Sequence, residues 1–169
     1  MQRLWAPWRM EYIAEAKDPP GVGCIFCMLP RSHADRENLI LWRGRRVFTL
    51  LNKFPYHPGH LMVAPYTHAA DLTALLPDEL LDLMLEVRRA TACLGRAMSP
   101  DGYNVGLNLG RTAGAGVPGH VHVHVVPRWD GDHNFMPILA ETKVMPEYLV
   151  QTYDRLALQF RSDGPEPTA

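Results

Sequence analysis

Three histidines stand at alternate positions in the segment GHVHVHVVPRW, residues 119–129, with valines between them. Because successive side chains of a strand point to opposite faces, His120, His122 and His124 would share one face and the valines would face the core. A solvated edge strand would be expected to mix Thr, Lys, Glu and Ser there, so three imidazoles favour chemistry. Near neutral pH an imidazole can act as a nucleophile, a base or a metal ligand.

A glycine-rich stretch, GAGVPG over residues 114–119, directly precedes the histidines. Glycines leave backbone N–H groups open to oxyanions because no side chain stands in the way. Alone, this stretch is typical of a flexible connection, but its position before three histidines favours phosphorus as the electrophile. We therefore predict a phosphate-binding loop that includes Gly114, Ala115, Gly116 and Val117.

Two of the three cysteines form a C-x-x-C pair, Cys24 and Cys27. This spacing can supply two thiolates to one tetrahedral ion, and two histidines would complete a Cys₂His₂ zinc site. His33 is one candidate ligand because it follows closely in sequence. The alternative is a pair of buried free thiols, since free cysteine is readily buried. An odd cysteine count argues against a disulfide framework, and Cys93 is expected in the core.

The elements that position these groups follow from hydrophobic patterns. Apolar, β-compatible runs predict strands over residues 38–43, 46–53, 60–66, 102–109 and 119–129, the second and third forming a hairpin. Helical periodicity predicts a long helix from Pro77 to Met98. Shorter helices are predicted over residues 3–17 and from near Pro146. The fold class is therefore α+β, with an antiparallel sheet of about five strands, a long helix, and shorter N- and C-terminal helices.

Composition limits the function classes. The chain has 169 residues, 47% hydrophobic and 21% charged, with a formal net charge of −1. This profile predicts one soluble domain over residues 1–160, with residues 161–169 as a disordered tail. No strong positive field favours nucleic acid or an acidic membrane, so phosphate recognition must be local. With no secretory or membrane-spanning segment apparent, we expect a cytoplasmic protein.

Several motifs together carry a family resemblance. HVHVHVV at residues 120–126, CIFC at 24–27, NKFPYHPGH at 52–60 and PYTH at 65–68 resemble the histidine triad (HIT) superfamily of nucleotide hydrolases and transferases. LWAPWRMEYI at 4–13, GDHNFMP at 131–137 and ETKVMPE at 141–147 extend the resemblance to its bacterial diadenosine tetraphosphate phosphorylase-like branch. It covers most of residues 3–158.

The resemblance implies a covalent mechanism. His122 would attack the α-phosphate of a dinucleoside polyphosphate, and His124 would donate a hydrogen bond to the scissile phosphate. Asn52 would contact the ribose and Asn108 a phosphate. Inorganic phosphate as co-substrate would release ADP and ATP from diadenosine tetraphosphate. The alternatives are a hydrolase of dinucleoside polyphosphates or nucleoside phosphoramidates, and a nucleotide-binding module without turnover.

The resemblance also implies a zinc site and a homo-oligomer. His68 and His120 would join the two cysteines around a structural zinc, and two or more copies would pair through the sheet and the long helix. One departure stands out, because many relatives carry Ser, Thr or Gln where this chain has residues 115–117. The donor that protonates the leaving group is therefore open, with Thr112 the nearest hydroxyl. His57, His60 and His133 are predicted in loops, and His60 is an alternative contributor to the nucleotide pocket.

Overall fold

The computed structural model describes residues 23–132 and 147–162. The strands of these segments are β1 (Ile40–Arg43), β2 (Val47–Leu51), β3 (Leu61–Pro65), β4 (Gly102–Leu107) and β5 (Val123–Arg128). The helices are α1 (Ile25–Met28), α2 (Pro77–Met98) and α3 (Leu149–Ser162), with short 3-10 turns at Leu29–Ser32, Leu72–Ala74 and Arg111–Ala113. The predicted helix over residues 3–17 lies outside the described residues.

The five strands form one antiparallel sheet in the order β1-β2-β3-β5-β4. This confirms the α+β prediction, including the hairpin formed by β2 and β3. Each strand is shorter than predicted, because strand ends depend on pairing with neighbours more than on local pattern. The pairing of β1 with β2 also shifts register between Ile40 and Trp42.

The sheet separates two apolar clusters. The larger one joins the sheet to α2 and α3, and it includes the predicted inward-facing Val121, Val123 and Val125. The smaller one consists of Phe26, Ile40, Phe48, Leu50, Met62 and Ala64, with Val117 packed against it. α1 and the glycine-rich loop therefore contact the side of the sheet that carries the smaller cluster.

Helix α2 begins at Pro77 and ends at Met98, as predicted. Pro77 suits the first helical position, and the Glu79 carboxylate accepts a hydrogen bond from the Leu76 N–H at 2.8 Å. The helix leaves some of its apolar side chains exposed and buries a carboxylate. Leu81 and Met84 are each 58% exposed, whereas Glu86 is buried. The Thr49 hydroxyl donates a hydrogen bond to Glu86 Oε1 at 2.5 Å.

The C-terminal helix α3 packs on the sheet and on α2 through Tyr153, Leu156 and Phe160. It extends to Ser162, two residues into the predicted tail, and residues 163–169 lie outside the described residues. Tyr148, directly before this helix, and Leu158 within it are exposed. Among the helices of the described segments, none has both the length and the apolar character needed to cross a bilayer.

Candidate active site and metal centre

The three triad histidines lie where β5 begins, and two of them are buried. His120 and His122 precede the first residue of β5, which corrects the predicted strand start at residue 119. His120 is 0% and His122 is 5% exposed, so the solvated edge strand is excluded. His124, half-buried, stands within β5 opposite Met62 of β3 and Gly106 of β4.

His122 has the geometry of a neutral nucleophile. Its Nδ1 lies 2.8 Å from the backbone oxygen of His120. A carbonyl can only accept, so Nδ1 carries the proton, and the lone pair of the neutral ring is on Nε2. Burial lowers the pKa of His122, against a smaller opposing effect of that hydrogen bond. The ring is therefore uncharged at neutral pH.

His124 is linked to a fourth imidazole, His60, which is fully buried directly before β3. The backbone N–H of Tyr56 donates to His60 Nδ1 at 3.0 Å, so the proton of neutral His60 is on Nε2. His60 Nε2 lies 2.9 Å from His124 Nδ1 and donates to it. In neutral His124 the proton is then on Nε2, where it can be donated to a ligand.

The predicted ribose contact, Asn52, is tied to this imidazole pair. Its Oδ1 accepts from the Phe54 N–H at 2.9 Å, and its Nδ2 donates to His60 Nδ1 at 3.2 Å. Asn108 is half-buried just after Leu107, which pairs with Val123, and this places it at the sheet end where His122 lies. Contact of either asparagine with a nucleotide stays a prediction.

The predicted phosphate loop is an ordered turn. Gly110 and Gly114 flank the 3-10 turn with positive φ values of 79° and 85°, which glycine adopts without a Cβ penalty. The N–H of Gly114 donates to the Arg111 oxygen at 2.9 Å, and that of Ala115 to the Gly110 oxygen at 3.3 Å. These two predicted donors thus already bond within the loop. Gly116 and Val117 follow them towards His120, whose N–H donates to the Val117 oxygen at 3.3 Å.

Cys24, Cys27, His68 and His120 bring one potential ligand atom each within 4.8 Å of one another. Cys24 Sγ is 3.4 Å from His120 Nδ1, and Cys27 Sγ is 3.3 Å from His68 Nδ1 and 3.5 Å from His120 Nδ1. A tetrahedral zinc with ordinary Zn–S and Zn–N bonds would separate sulfur and nitrogen ligands by about 3.5 Å. The donor set and its spacing therefore fit zinc.

The surroundings favour neutral imidazole as a ligand here. His120 Nε2 donates to the Pro65 oxygen at 2.9 Å, which leaves the Nδ1 lone pair directed at the cysteines. Burial lowers the pKa of His120 to about 4, so no proton competes for Nδ1 at neutral pH. Burial and the neighbouring Cys24 raise the pKa of Cys27 to about 11 in the absence of an ion, so metal binding would release its proton.

The alternative ligand His33 is not part of this cluster within the described residues. It is exposed and ends the 3-10 turn after α1 in the left-handed conformation. Cys93 is fully buried in the core, as predicted. The prediction of His60 as a loop residue missed its main feature, the bond to His124. The sequence offered one signal that His60 is buried, since this histidine stands between a glycine and the apolar residues of β3.

Comparison with known proteins agrees with this geometry. The profile of the HIT domain family matches residues 34–131. An AP-4-A phosphorylase of Mycobacterium tuberculosis is 43% identical over 95% of this chain and 85% of its own length. The chain therefore belongs to the HIT domain family, as the motifs predicted.

Two further similarities are more distant. A bis(5'-nucleosyl)-tetraphosphatase (asymmetrical) of Schizosaccharomyces pombe is 36% identical over 55% of this chain and 50% of its own length. The solved structure of a Zn-bound histidine triad family protein from Mycobacterium smegmatis superposes with a TM-score of 0.68 at 23% identity, covering 84% of this chain and 96% of that one. That likeness shows the shared fold.

Proposed function

We propose that this protein is an enzyme that cleaves diadenosine tetraphosphate by phosphorolysis to ADP and ATP. The observation that carries the proposal is the hydrogen bond from His122 Nδ1 to the His120 oxygen, since it keeps a lone pair on Nε2 of a buried, uncharged ring. The 43% identity to a protein named AP-4-A phosphorylase supports the same substrate class.

The reaction proceeds through two displacements. His122 Nε2 attacks the α-phosphorus, a P–N bond forms, and the bond from that phosphorus to the bridging oxygen breaks to release ATP. An oxygen of inorganic phosphate then attacks the adenylyl group, the P–N bond breaks, and ADP leaves. Dividing one displacement into two lowers the barrier of each. His124 donates its Nε2–H to a phosphate oxygen in both steps.

Binding groups surround this nucleophile. In the proposal Asn52 contacts the ribose hydroxyls and Asn108 a phosphate. The loop of residues 114–117 binds the phosphates through backbone N–H groups, those of Gly116 and Val117 above all because Gly114 and Ala115 already bond within the loop. Backbone donors of this kind suit a chain without Ser, Thr or Gln at residues 115–117.

Zinc is the proposed structural metal, held by Cys24, Cys27, His68 and His120. The sulfur–nitrogen distances and the uncharged His120 support this assignment. The zinc-bound neighbour from Mycobacterium smegmatis adds support from the same fold. When bound, the ion would hold α1, residue 68 and the start of β5 together, leaving His122 and His124 for catalysis.

Product analysis tests the reaction. Purified protein is incubated with diadenosine tetraphosphate with and without inorganic phosphate, and the nucleotides are separated by anion exchange. We expect ADP and ATP with phosphate present, a nucleotidyl mass increment on His122 after rapid quench, and no turnover in His122→Asn. Vigorous turnover by His122→Asn would overturn the mechanism.

A hydrolase is the second candidate, because the relative from Schizosaccharomyces pombe is named an asymmetrical tetraphosphatase. Water would then resolve the adduct, and AMP and ATP would form whether or not phosphate is added. Nucleoside phosphoramidates, tested in parallel, would reveal the related activity on P–N substrates. AMP binding by calorimetry with no product from any substrate would indicate a nucleotide-binding module instead.

We further propose that the chain forms a homodimer or a larger homo-oligomer in the cytoplasm, as one HIT domain over residues 1–160. The exposed apolar residues Leu81 and Met84 of α2 and Val105 and Leu107 of the edge strand β4 support pairing through the helix and the sheet. A small nucleotide, without a nucleic acid or membrane partner, fits the net charge of −1.

A further inference from the structure

Phe26 lies between the candidate metal centre and the proposed nucleophile. It belongs to α1 and sits between the two cysteines in sequence, and it is 0% exposed. Its ring centroid is 5.2 Å from that of His120 and 4.6 Å from that of His122. One aromatic side chain thus contacts both a predicted metal ligand and the ring predicted to attack phosphorus.

Among the described residues, two contacts hold the His122 ring from the side of the candidate metal centre, one from a predicted ligand and one from Phe26. The His120 backbone oxygen accepts the bond from Nδ1, and Phe26 packs against the ring at an interplanar angle of 35°. The third contact is the edge of His124, whose centroid lies 4.8 Å away. The direction of the Nε2 lone pair therefore depends on a candidate metal ligand, His120, and on Phe26, which lies between the two cysteines in sequence.

A single hydrogen bond does not fix a ring. With only the Nδ1 bond, small rotations about the Cα–Cβ and Cβ–Cγ bonds can still tilt the imidazole, and Nε2 then moves off the line of attack. A flat neighbour packed on one face removes this freedom because rotation would bring the rings into collision. Phe26 supplies that neighbour, and an aliphatic side chain of similar volume would supply it less well.

Phe26 is not placed to contact substrate itself. Its complete burial leaves no ring surface for a nucleobase or ribose, and its described ring neighbours are His120, His122 and Phe48. Phe48 offers a matched comparison, since it is also fully buried in the smaller cluster. Within the described residues its ring contacts are with Phe26 and Tyr66 and not with a triad histidine.

We infer that Phe26 is a positioning residue, which holds the His122 ring in the orientation for attack by packing against both His120 and His122. It thereby sets the rate of nucleotidyl transfer without contacting the nucleotide. The inference rests on the proposed function, because the rate in question is that of adduct formation on His122. It assigns to the C-x-x-C segment a role in chemistry besides holding an ion.

The test compares Phe26→Leu and Phe26→Met with Phe48→Leu. Each variant is purified, its zinc content is measured by mass spectrometry, and the single-turnover rate of adduct formation is measured with diadenosine tetraphosphate. In both Phe26 variants we expect a rate lower by roughly 10- to 100-fold, the scale on which misplaced reacting groups lose rate. The affinity for AMP and the zinc content should stay within twofold of wild type. Phe48→Leu should keep the wild-type rate.

A second variant checks that the ring is what matters. Phe26→Tyr retains the flat face and should recover most of the rate lost in Phe26→Leu. Weaker AMP binding with an unchanged rate would overturn the inference, because Phe26 would then be part of the nucleotide pocket. Equal rate losses in the Phe26→Leu and Phe48→Leu variants would also overturn it, since a general packing defect would explain both.

A readout that needs no turnover separates this inference from the proposed function. The Nδ1 proton of His122 should be protected from exchange with water in wild type, observed by NMR of protein labelled with ¹⁵N in histidine rings. It should exchange faster in Phe26→Leu and stay protected in Phe48→Leu. If wild type turns over no substrate, the proposed function fails while this result still decides the positioning role. Unchanged protection in Phe26→Leu would contradict it.

Discussion

At the scale of single residues, the two proposed catalytic histidines differ in what orients them. His122 is fixed by a backbone carbonyl, which can only accept, so its proton is held on Nδ1. His124 is fixed by another imidazole, His60, whose own proton is held on Nε2 by the Tyr56 N–H. Two rings of the same chemistry thus present different atoms to a ligand, a lone pair in one and an N–H in the other.

Replacing His60 should therefore impair catalysis while leaving binding largely intact. In His60→Phe the ring volume is kept, but His124 loses the donor that holds its proton on Nε2. We expect kcat for diadenosine tetraphosphate to fall by about 100-fold, with KM changed less than threefold. Steady-state kinetics measure the split.

His57→Phe serves as the control for this prediction. His57 lies in the same loop, with its Nδ1 3.8 Å from an oxygen of Asp132. We expect its kcat to stay within threefold of wild type. A His60→Phe enzyme with wild-type kcat would show that the His60–His124 bond plays no part in the reaction.

At the scale of elements, three separate parts of the chain meet at the cysteine–histidine cluster. The single turn α1 and the residue before it supply two sulfur atoms, the segment after β3 supplies His68, and the segment before β5 supplies His120. α1 has four residues, too few for a helix that is stable by itself. Metal binding would therefore contribute directly to the stability of this side of the sheet.

Removal of the metal should lower the melting temperature. With zinc at about 1,000 times its dissociation constant, binding adds roughly 4 kcal/mol, which corresponds to about 10 °C for a chain of this size. We expect a chelator to lower Tm by about this amount in calorimetry, with release of one zinc per chain. Cys93→Ala should respond as wild type does, and Cys27→Ser should show no response. An unchanged Tm when zinc-loaded wild type is treated with the chelator would exclude a structural ion.

The turn before β3 depends on one glycine. Gly59 has a φ of 76°, and a Cβ there would lie 2.6 Å from Met98 Sδ and 3.1 Å from Leu94 Cδ2. Strain in the left-handed region together with this clash should make Gly59→Ala less stable by about 2 kcal/mol. Urea unfolding measures the free energy. Gly102→Ala, where no heavy atom lies within 4 Å of the added Cβ, should change it by less than about 0.5 kcal/mol. Equal stability of the two variants would contradict the assignment.

Local patterns predicted some elements better than others. The bounds of α2 follow from Pro77 and from a long run with helical spacing of apolar residues, so the sequence alone predicted both ends correctly. The register shift in β1 and the early end of β4 depend on partners far along the chain, which no local pattern contains. His60 illustrates the same limit, since its link to His124 spans 64 positions and only the pairing of β3 with β5 brings the two rings together.

At the scale of the whole molecule, apolar side chains point outward on one side of the domain. The Tyr103 hydroxyl donates to the Thr91 oxygen, so this flank of α2 faces β4. Met84 stands two turns earlier on the same helix face as Thr91, and Val105 and Leu107 follow Tyr103 at alternate positions. Exposed apolar side chains thus lie both on this helix flank and on the edge strand, and in soluble proteins such side chains commonly mark an interface.

In the proposed homodimer, a charge on these exposed apolar positions should separate the subunits. Val105 is 47% exposed on a strand that is the edge of the sheet, and a second copy of β4 could continue the sheet there. We expect Met84→Arg and Val105→Arg each to shift the protein from dimer to monomer, measured by light scattering after size exclusion. Leu158→Arg, on an exposed position of α3, should leave the mass unchanged. Because β4 pairs with β5 next to His124, the monomer should also lose activity. A wild-type chain that is monomeric at micromolar concentration would contradict the interface.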